Sequence, residues 1–396
     1  MTFATGLILV AKPQAMKPHI SSAPTKAGRD AGLDLARAWA VTVMVLGHSL
    51  AATLRPADLE IPLVATYWQM RGLTAPLFLI VSGWAVSLLF CRRPRPGLGH
   101  VRERGPRILT LIGLGLLLRL PTWGLGALLR GDAAVWQHFL AMDVLQLIGT
   151  CLLAGSLLFS LSRRPGVRAL LAVLLAVATA VSAPAVWRAA AGWGPWAQLV
   201  LGAGEAPFPL WPWAAYFFAG MGVGALSSLC LTSPRLSRFD LSRLGHTGWP
   251  RAAVLVAAGA GLTAVASAVG VDWSAADAVA SPWLTCERLG KVMLTVGVLN
   301  LAPAGWGARL AFLGRRTLSI YVIHMILVYG GLGVPGLYLL LGPVLPLWQS
   351  LGLSLATICV SVGLAHLWSR LQGRAGPWIH SRLKNPRVRA IVDARK

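Results

Sequence analysis

Charge is what this sequence has least of. Only 12% of its 396 residues are Asp, Glu, Lys or Arg, and just 13 are acidic. A soluble globular chain carries roughly 25% charged residues, so too little polar surface remains here to coat a water-soluble body. The same scarcity, beside 56% apolar residues, excludes disordered, collagen-like and coiled-coil chains. The cysteines are few and scattered: Cys91, Cys151, Cys230, Cys286 and Cys359. Their spacing excludes a disulfide framework and a zinc-ligand pattern, and no metal site is expected. No segment repeats, and no pair of broken hydrophobic segments marks the inverted halves of a transporter. Gly220-x-Gly222-x-Gly224 follows no strand, so it reads as close helix packing and not as a dinucleotide loop.

Long hydrophobic runs are what the sequence does have. A helix needs about 20 mostly apolar residues to cross the hydrocarbon of a bilayer. Ten runs qualify, near 33–54, 67–91, 107–127, 140–161, 167–186, 210–231, 251–271, 284–304, 309–332 and 348–369. The expected fold is all-α, a polytopic membrane protein of about ten transmembrane helices. The basic residues orient it. With the N-terminus inside, the inner segments hold 28 of the 36 Lys and Arg, while Asp58, Glu60, Asp132, Glu205, Asp272 and Asp277 fall on outer loops. That bias is the positive-inside rule, and it places both termini in the cytoplasm of a cell inner or plasma membrane. The net charge of +23 is thus a matter of topology, and no nucleic-acid partner is expected. Residues 1–30 read as a disordered tail, because Lys12 and Lys17 follow the short apolar MTFATGLILV stretch where a secretory signal would put charge first. Residues 31–370 form the membrane domain, and 371–396 a basic tail suited to anionic headgroups.

Ionisable groups inside hydrocarbon are costly, so each is a candidate for function. The first run holds Asp34, Arg37 and His48. Arg37 and His48 are 11 residues apart, which puts them on one helix face with roughly 16 Å of rise between them. Asp34 stands at neighbour spacing for an ion pair that aims the guanidinium. Such a stripe suits an anionic carrier at the inner rim and a base deeper in the membrane. Equally, a rim arginine serves as a snorkelling anchor, and a buried histidine as a hydrogen-bonded core residue. Ser82 and Gly83 lie in the second run, which has Arg71 near its outer start; Arg119 lies in the third. In the ninth, Thr317, Tyr321 and His324 share a face and suggest a polar chain lining a cavity, or polar contacts between helices. Glu287 and Lys291 fit a structural i,i+4 pair, and Asp143 with Gln146 a helix-start cap. Arg104 and Arg107 follow the second run in an Arg-x-x-Arg pair. Arginine forks match phosphate, although inner-loop positive charge accounts for them equally well.

Four elements, taken in order, resemble the membrane acyltransferase 3 family and the wider transmembrane acyltransferase group, which includes bacterial proteins like heparan-alpha-glucosaminide N-acetyltransferase. They are Leu33-Asp34 with Arg37 and His48, the stretch Phe78 to Trp84 with Ser82-Gly83, the Arg104/Arg107 pair, and Leu313-Gly314 through Tyr321 to His324. The Trp-Ser-Leu-x-x-Glu element of sugar-modifying members is missing, and Phe208-Pro-Leu-Trp-Pro-Trp213 stands near its place. The resemblance implies an acyltransferase that takes an acyl group, acetyl above all, from cytoplasmic acyl-CoA (acetyl-CoA). The acceptor is a hydroxyl or amine of a glycan or lipid-linked sugar in the cell envelope. It implies His48 as the base, with Asp34 and Arg37 beside it in the catalytic set. Arg37, Arg104 and Arg107 would hold the donor phosphates, and Tyr321, His324 and Ser82 the acceptor. Membrane lipid and the glycan are the expected partners. A transporter or flippase for a lipid-linked or anionic substrate is the alternative for the same buried residues.

Overall fold

The computed structural model describes residues 30–95, 97–121, 125–202, 204, 206–232, 249–270, 278–331 and 333–383. The tail expected before Asp30, the last part of the basic tail, and Glu205, Asp272 and Asp277 lie outside the described residues. Helix follows the apolar runs. In chain order come α1 (Ala31–Thr53), α2 (Pro62–Arg71), α3 (Thr74–Arg92), α4 (Gly99–Leu118), α5 (Leu125–Leu129), α6 (Ala133–Leu140), α7 (Val144–Ser160) and α8 (Pro165–Gly192). Then follow α9 (Pro195–Leu201), α10 (Leu210–Thr232), α11 (Trp249–Val269), α12 (Pro282–Asn300), α13 (Ala304–Arg315), α14 (Thr317–Tyr329), α15 (Leu337–Leu340) and α16 (Leu347–Leu383). Among the described residues the only sheet is the two-residue antiparallel ladder of β1 (Gly330–Gly331) with β2 (Val334–Pro335).

Local chemistry sets the boundaries. Proline opens α2, α8 and α12, where its missing N–H would be unpaired in any case. The expected cap at α7 is present: Asp143 accepts from the Val144 N–H at 2.6 Å, and Gln146 accepts from the Asp143 N–H at 3.1 Å. Each expected run coincides with a helix or a pair of helices, but the spans are not uniform. Five helices are long and apolar enough to cross a membrane, α1, α3, α8, α11 and α16, and the count reaches seven if the bent pairs α6–α7 and α13–α14 are each one span. Two of the other long helices fall short because of charge: α4 opens on Arg102, Glu103, Arg104 and Arg107, and α12 carries Glu287, Arg288 and Lys291. The second run divides at Gly72-Leu73 into α2 and α3, and the ninth bends by 66° at Arg316. The outer face of α8 exposes Leu170, Leu174, Val177 and Val181, each more than half accessible. An apolar face of that length is at home only in lipid, so the fold is that of a multi-pass membrane protein.

Backbones meet where glycine allows it, as membrane bundles require in the absence of a hydrophobic drive between helices. A Cβ on Gly83 would lie 2.0 Å from the Phe217 carbonyl oxygen, and one on Gly220 2.0 Å from that of Ile80. The Ser82-Gly83 element therefore seats α3 on α10, while Gly222 faces Val173 of α8. At one end of the bundle Arg168, only 1% exposed, fastens three carbonyls. It donates to Phe90 O and Phe159 O at 2.9 Å each and to Ser162 O at 2.7 Å. Phe90 and Phe159 lie in the last turns of α3 and α7, whose carbonyls have no intrahelical partner, so one buried cation closes both helix ends. At the other end Arg119 joins α4 to α7 through Asp143, 3.5 Å away.

Helix α1 runs through the middle and touches α3, α12, α13, α14 and α16. Its C-terminal end is tied to the start of α16: Thr53 and Ser350 hydroxyls meet at 2.6 Å, and the Leu347 N–H donates to Asp58 at 2.8 Å.

Candidate active site

Two histidines from opposite ends of the sequence meet across the α1–α14 contact. His48 Nδ1 lies 3.2 Å from His324 Nε2, and His324 Nδ1 lies 3.0 Å from the Ile320 carbonyl oxygen. His324 is 0% exposed, whereas His48 is half-buried. The carbonyl fixes the protons. It can only accept, so His324 Nδ1 carries the hydrogen and, in the neutral ring, Nε2 is a bare acceptor. His48 Nδ1–H then donates to it. What remains is His48 Nε2, an unprotonated lone pair on the half-buried ring. A buried orienting group behind an imidazole that keeps its second nitrogen unprotonated is the logic of a general base.

Aromatic rings enclose the pair. Tyr321 stands edge-on to His324 at 5.4 Å between centroids and Tyr329 edge-on to His48 at 5.5 Å. Tyr67 and Arg71 come in from α2. The Tyr67 hydroxyl donates to the Val43 carbonyl at 2.7 Å, and both side chains rest on Gly47, next to the base. Tyr67 and Tyr329 escaped sequence reasoning. Arg71 carried a signal, a charge at the start of an apolar run, but nothing pointed from it to His48. Thr317, expected to extend the Tyr321–His324 chain, instead donates to the Gly314 carbonyl at 3.0 Å across the bend. Its hydroxyl is used up closing the start of α14.

The other candidates lie elsewhere. Asp34 and Arg37 form the expected ion pair at 3.2 Å, with Asp34 2% exposed. They sit at the N-terminal end of the same unbroken helix as His48, roughly 16 Å of rise away. The expected Glu287–Lys291 pair is also formed. Arg104 and Arg107 sit within α4, which starts at Gly99, earlier than the apolar run, because its first turns are amphipathic. They are three residues apart and so neighbours on one face. Arg104 Nε is buried without a hydrogen-bond partner, and Arg107 is exposed. Two adjacent guanidinium groups, one with an unused N–H, fit a phosphate-bearing ligand. Ser82 is half-buried on α3, and no hydrogen bond links it to the histidines among the described residues. No three His, Cys, Asp or Glu side chains cluster as metal ligands among the described residues.

A basic pair, a half-buried ion pair and an oriented imidazole on one membrane scaffold agree with the comparison to known families. The model of the acyltransferase 3 family, described as an acyltransferase domain, matches residues 30–366. The chain belongs to this family. The matched acyltransferase domain runs from the start of α1 into α16 and takes in every candidate site residue. The protein is thus a membrane acyltransferase in general type. No curated protein and no solved structure matches it.

Proposed function

We propose that the protein moves an acyl group, acetyl in the first instance, from cytoplasmic acyl-CoA to a hydroxyl or amine of a glycan or lipid-linked sugar. In this reading both termini are cytoplasmic, the membrane is the inner or plasma membrane, and α1 is crossed from the donor side to the acceptor side. The observation that carries it is the Ile320 O–His324–His48 relay, 3.0 and 3.2 Å long, which leaves one imidazole nitrogen free. His48 Nε2 takes the acceptor proton as the oxygen or nitrogen attacks the thioester carbonyl carbon. The tetrahedral intermediate then collapses, the C–S bond breaks, and the imidazolium returns the proton to the departing CoA sulfur. Arg104, Arg107 and Arg37 bind the donor phosphates, with Asp34 aiming Arg37. Tyr321 and Ser82 belong to the acceptor side. His324 is a positioning residue that acts through His48, since its ring has no exposed surface.

The test is transfer from radiolabelled acetyl-CoA by protein in lipid nanodiscs, read as free thiol and as labelled membrane glycan. His48→Ala should lose transfer while inserting and unfolding normally. Turnover by that variant at the wild-type rate refutes the assignment. Substrate movement across the bilayer without thioester cleavage would make the protein a transporter instead.

A further inference from the structure

Arg71 has no role in the steps above, and its charge is unanswered. Its stem crosses α1 at Gly47, where a Cβ would lie 2.9 Å from Arg71 Cδ. Glycine at that position leaves room for the Arg71 stem and the Tyr67 hydroxyl to lie against α1 one residue before the base. The guanidinium carbon stands 4.9 Å from the Trp68 ring centroid, and Tyr67, one helical turn before it on α2, reaches the Val43 carbonyl of α1. Two other arginines at this end of the bundle have carboxylates, Arg55 with Asp58 at 2.8 Å and Arg119 with Asp143 at 3.5 Å. Among the described residues no carboxylate pairs with Arg71. Nor does Tyr67 supply an answering charge, since its hydroxyl is spent on the Val43 carbonyl. A half-buried cation beside an apolar seam calls for a counter-charge. A guanidinium fork takes a planar or tetrahedral oxyanion by paired hydrogen bonds.

We infer that Arg71 recognises an oxyanion on the acceptor, next to the hydroxyl or amine that His48 deprotonates. This rests on the acyltransferase reading and narrows it: the acceptor is anionic. The oxyanion comes from an acidic sugar as a carboxylate, or from a lipid carrier as the phosphate that bears the sugar.

The test uses the full chain in nanodiscs and three probes: a galacturonate trisaccharide, a polyprenyl-phosphoryl N-acetylglucosamine, and a neutral galactose trisaccharide. Native mass spectrometry reads binding, and thiol release from acetyl-CoA reads transfer. Wild type should bind one anionic probe about tenfold or more tighter than the neutral one, the share of a charge-assisted hydrogen bond. Which probe it prefers identifies the source of the oxyanion. Arg71→Gln should bring the ratio close to one, and Arg71→Lys, which keeps the charge without the fork, should fall between. Equal binding of all three by wild type, or the full preference in Arg71→Gln, overturns the inference, while His48-dependent thiol release leaves the acyltransferase reading standing. If thiol release continues unchanged in His48→Ala, the assignment of His48 as the base fails and takes the placement of the Arg71 oxyanion beside it as well.

Discussion

Removing His324 probes the relay without touching the base. A general base contributes about 10²- to 10⁴-fold, or roughly 3–5.5 kcal/mol at 1.36 kcal/mol per tenfold. His324 supplies one hydrogen bond to His48, at 3.2 Å, with a net contribution of about 0.5–1.5 kcal/mol, or roughly 2- to 13-fold. Freeing the ring also lets His48 adopt the other tautomer, whose Nε2 carries the proton and cannot accept one. His324→Ala should therefore slow single-turnover transfer by about tenfold or more, and by no more than the whole general-base factor. His324→Gln should recover part of the loss, because its amide oxygen accepts from His48 Nδ1 as the imidazole did. The decisive comparison is a double-mutant cycle. If His324 works only through His48, adding His324→Ala to His48→Ala costs nothing further. The assay is rapid-quench transfer from acetyl-CoA in nanodiscs, with thermal unfolding to confirm that each variant is folded. A double variant slower than His48→Ala by the full factor that His324→Ala costs wild type would refute the relay. It would give His324 an independent role at the acceptor.

Three further outcomes follow from the geometry. Arg104→Ala should raise KM for acetyl-CoA by about tenfold, the loss of one charge-assisted hydrogen bond, and more than Arg107→Ala, whose side chain is exposed. Both effects should shrink as salt rises, and a fall in kcat at unchanged KM would contradict a phosphate-binding role. Arg168→Met strands three carbonyls held at 2.7–2.9 Å and should cost about 3–5 kcal/mol. Thermal unfolding in detergent measures it, and a loss under about 1 kcal/mol would show the clamp to be idle. The Arg55 hydrogen bond holds the Asp58 carboxyl below its ordinary 3.8, and that carboxylate anchors the Leu347 N–H. Because the folded value is the lower one, the anchor is complete above about pH 4 and is lost as pH falls through the folded value. The protection factor of the Leu347 amide should stay high at about pH 5 and fall in stronger acid. Asp58→Asn should be unprotected throughout, and a variant as protected as wild type would disprove the anchor.

What the sequence could show was set by the range of the physics. Apolar runs mark helices because burial in lipid is a property of each segment alone, and helix lies under every run, although only five helices, or seven spans with the bent pairs, are long and apolar enough to cross. Contacts within one or two turns were legible too: Asp34 with Arg37, Glu287 with Lys291 and the Asp143 cap all formed. Interruptions were not, since α2 and α3 divide at Gly72-Leu73 inside one hydrophobic stretch. Nor was the clamp at Arg168, which follows Arg163 and Arg164 and reads as one more inner-loop charge until its burial is seen. The meeting of His48 with His324 spans 276 residues. Periodicity carries no information about which helix faces which, so the sequence could nominate both rings but not join them.

The bend at Arg316 explains how two distant motifs become one site. Bent by 66°, the segment 304–329 touches α1 twice. Gly314 lies against the backbone of Asp34, where a Cβ would come within 2.7 Å of its carbonyl oxygen, and His324 lies against His48. The Leu313-Gly314 and Tyr321–His324 pieces are therefore two ends of one clasp on α1, the first setting distance at the ion-paired end and the second setting the tautomer of the base. Because α1 is continuous between them, the position of the glycine governs the alignment of the histidine. A site built this way tolerates little change in the register of either element, since one residue of slip turns His48 by about 100° away from its partner.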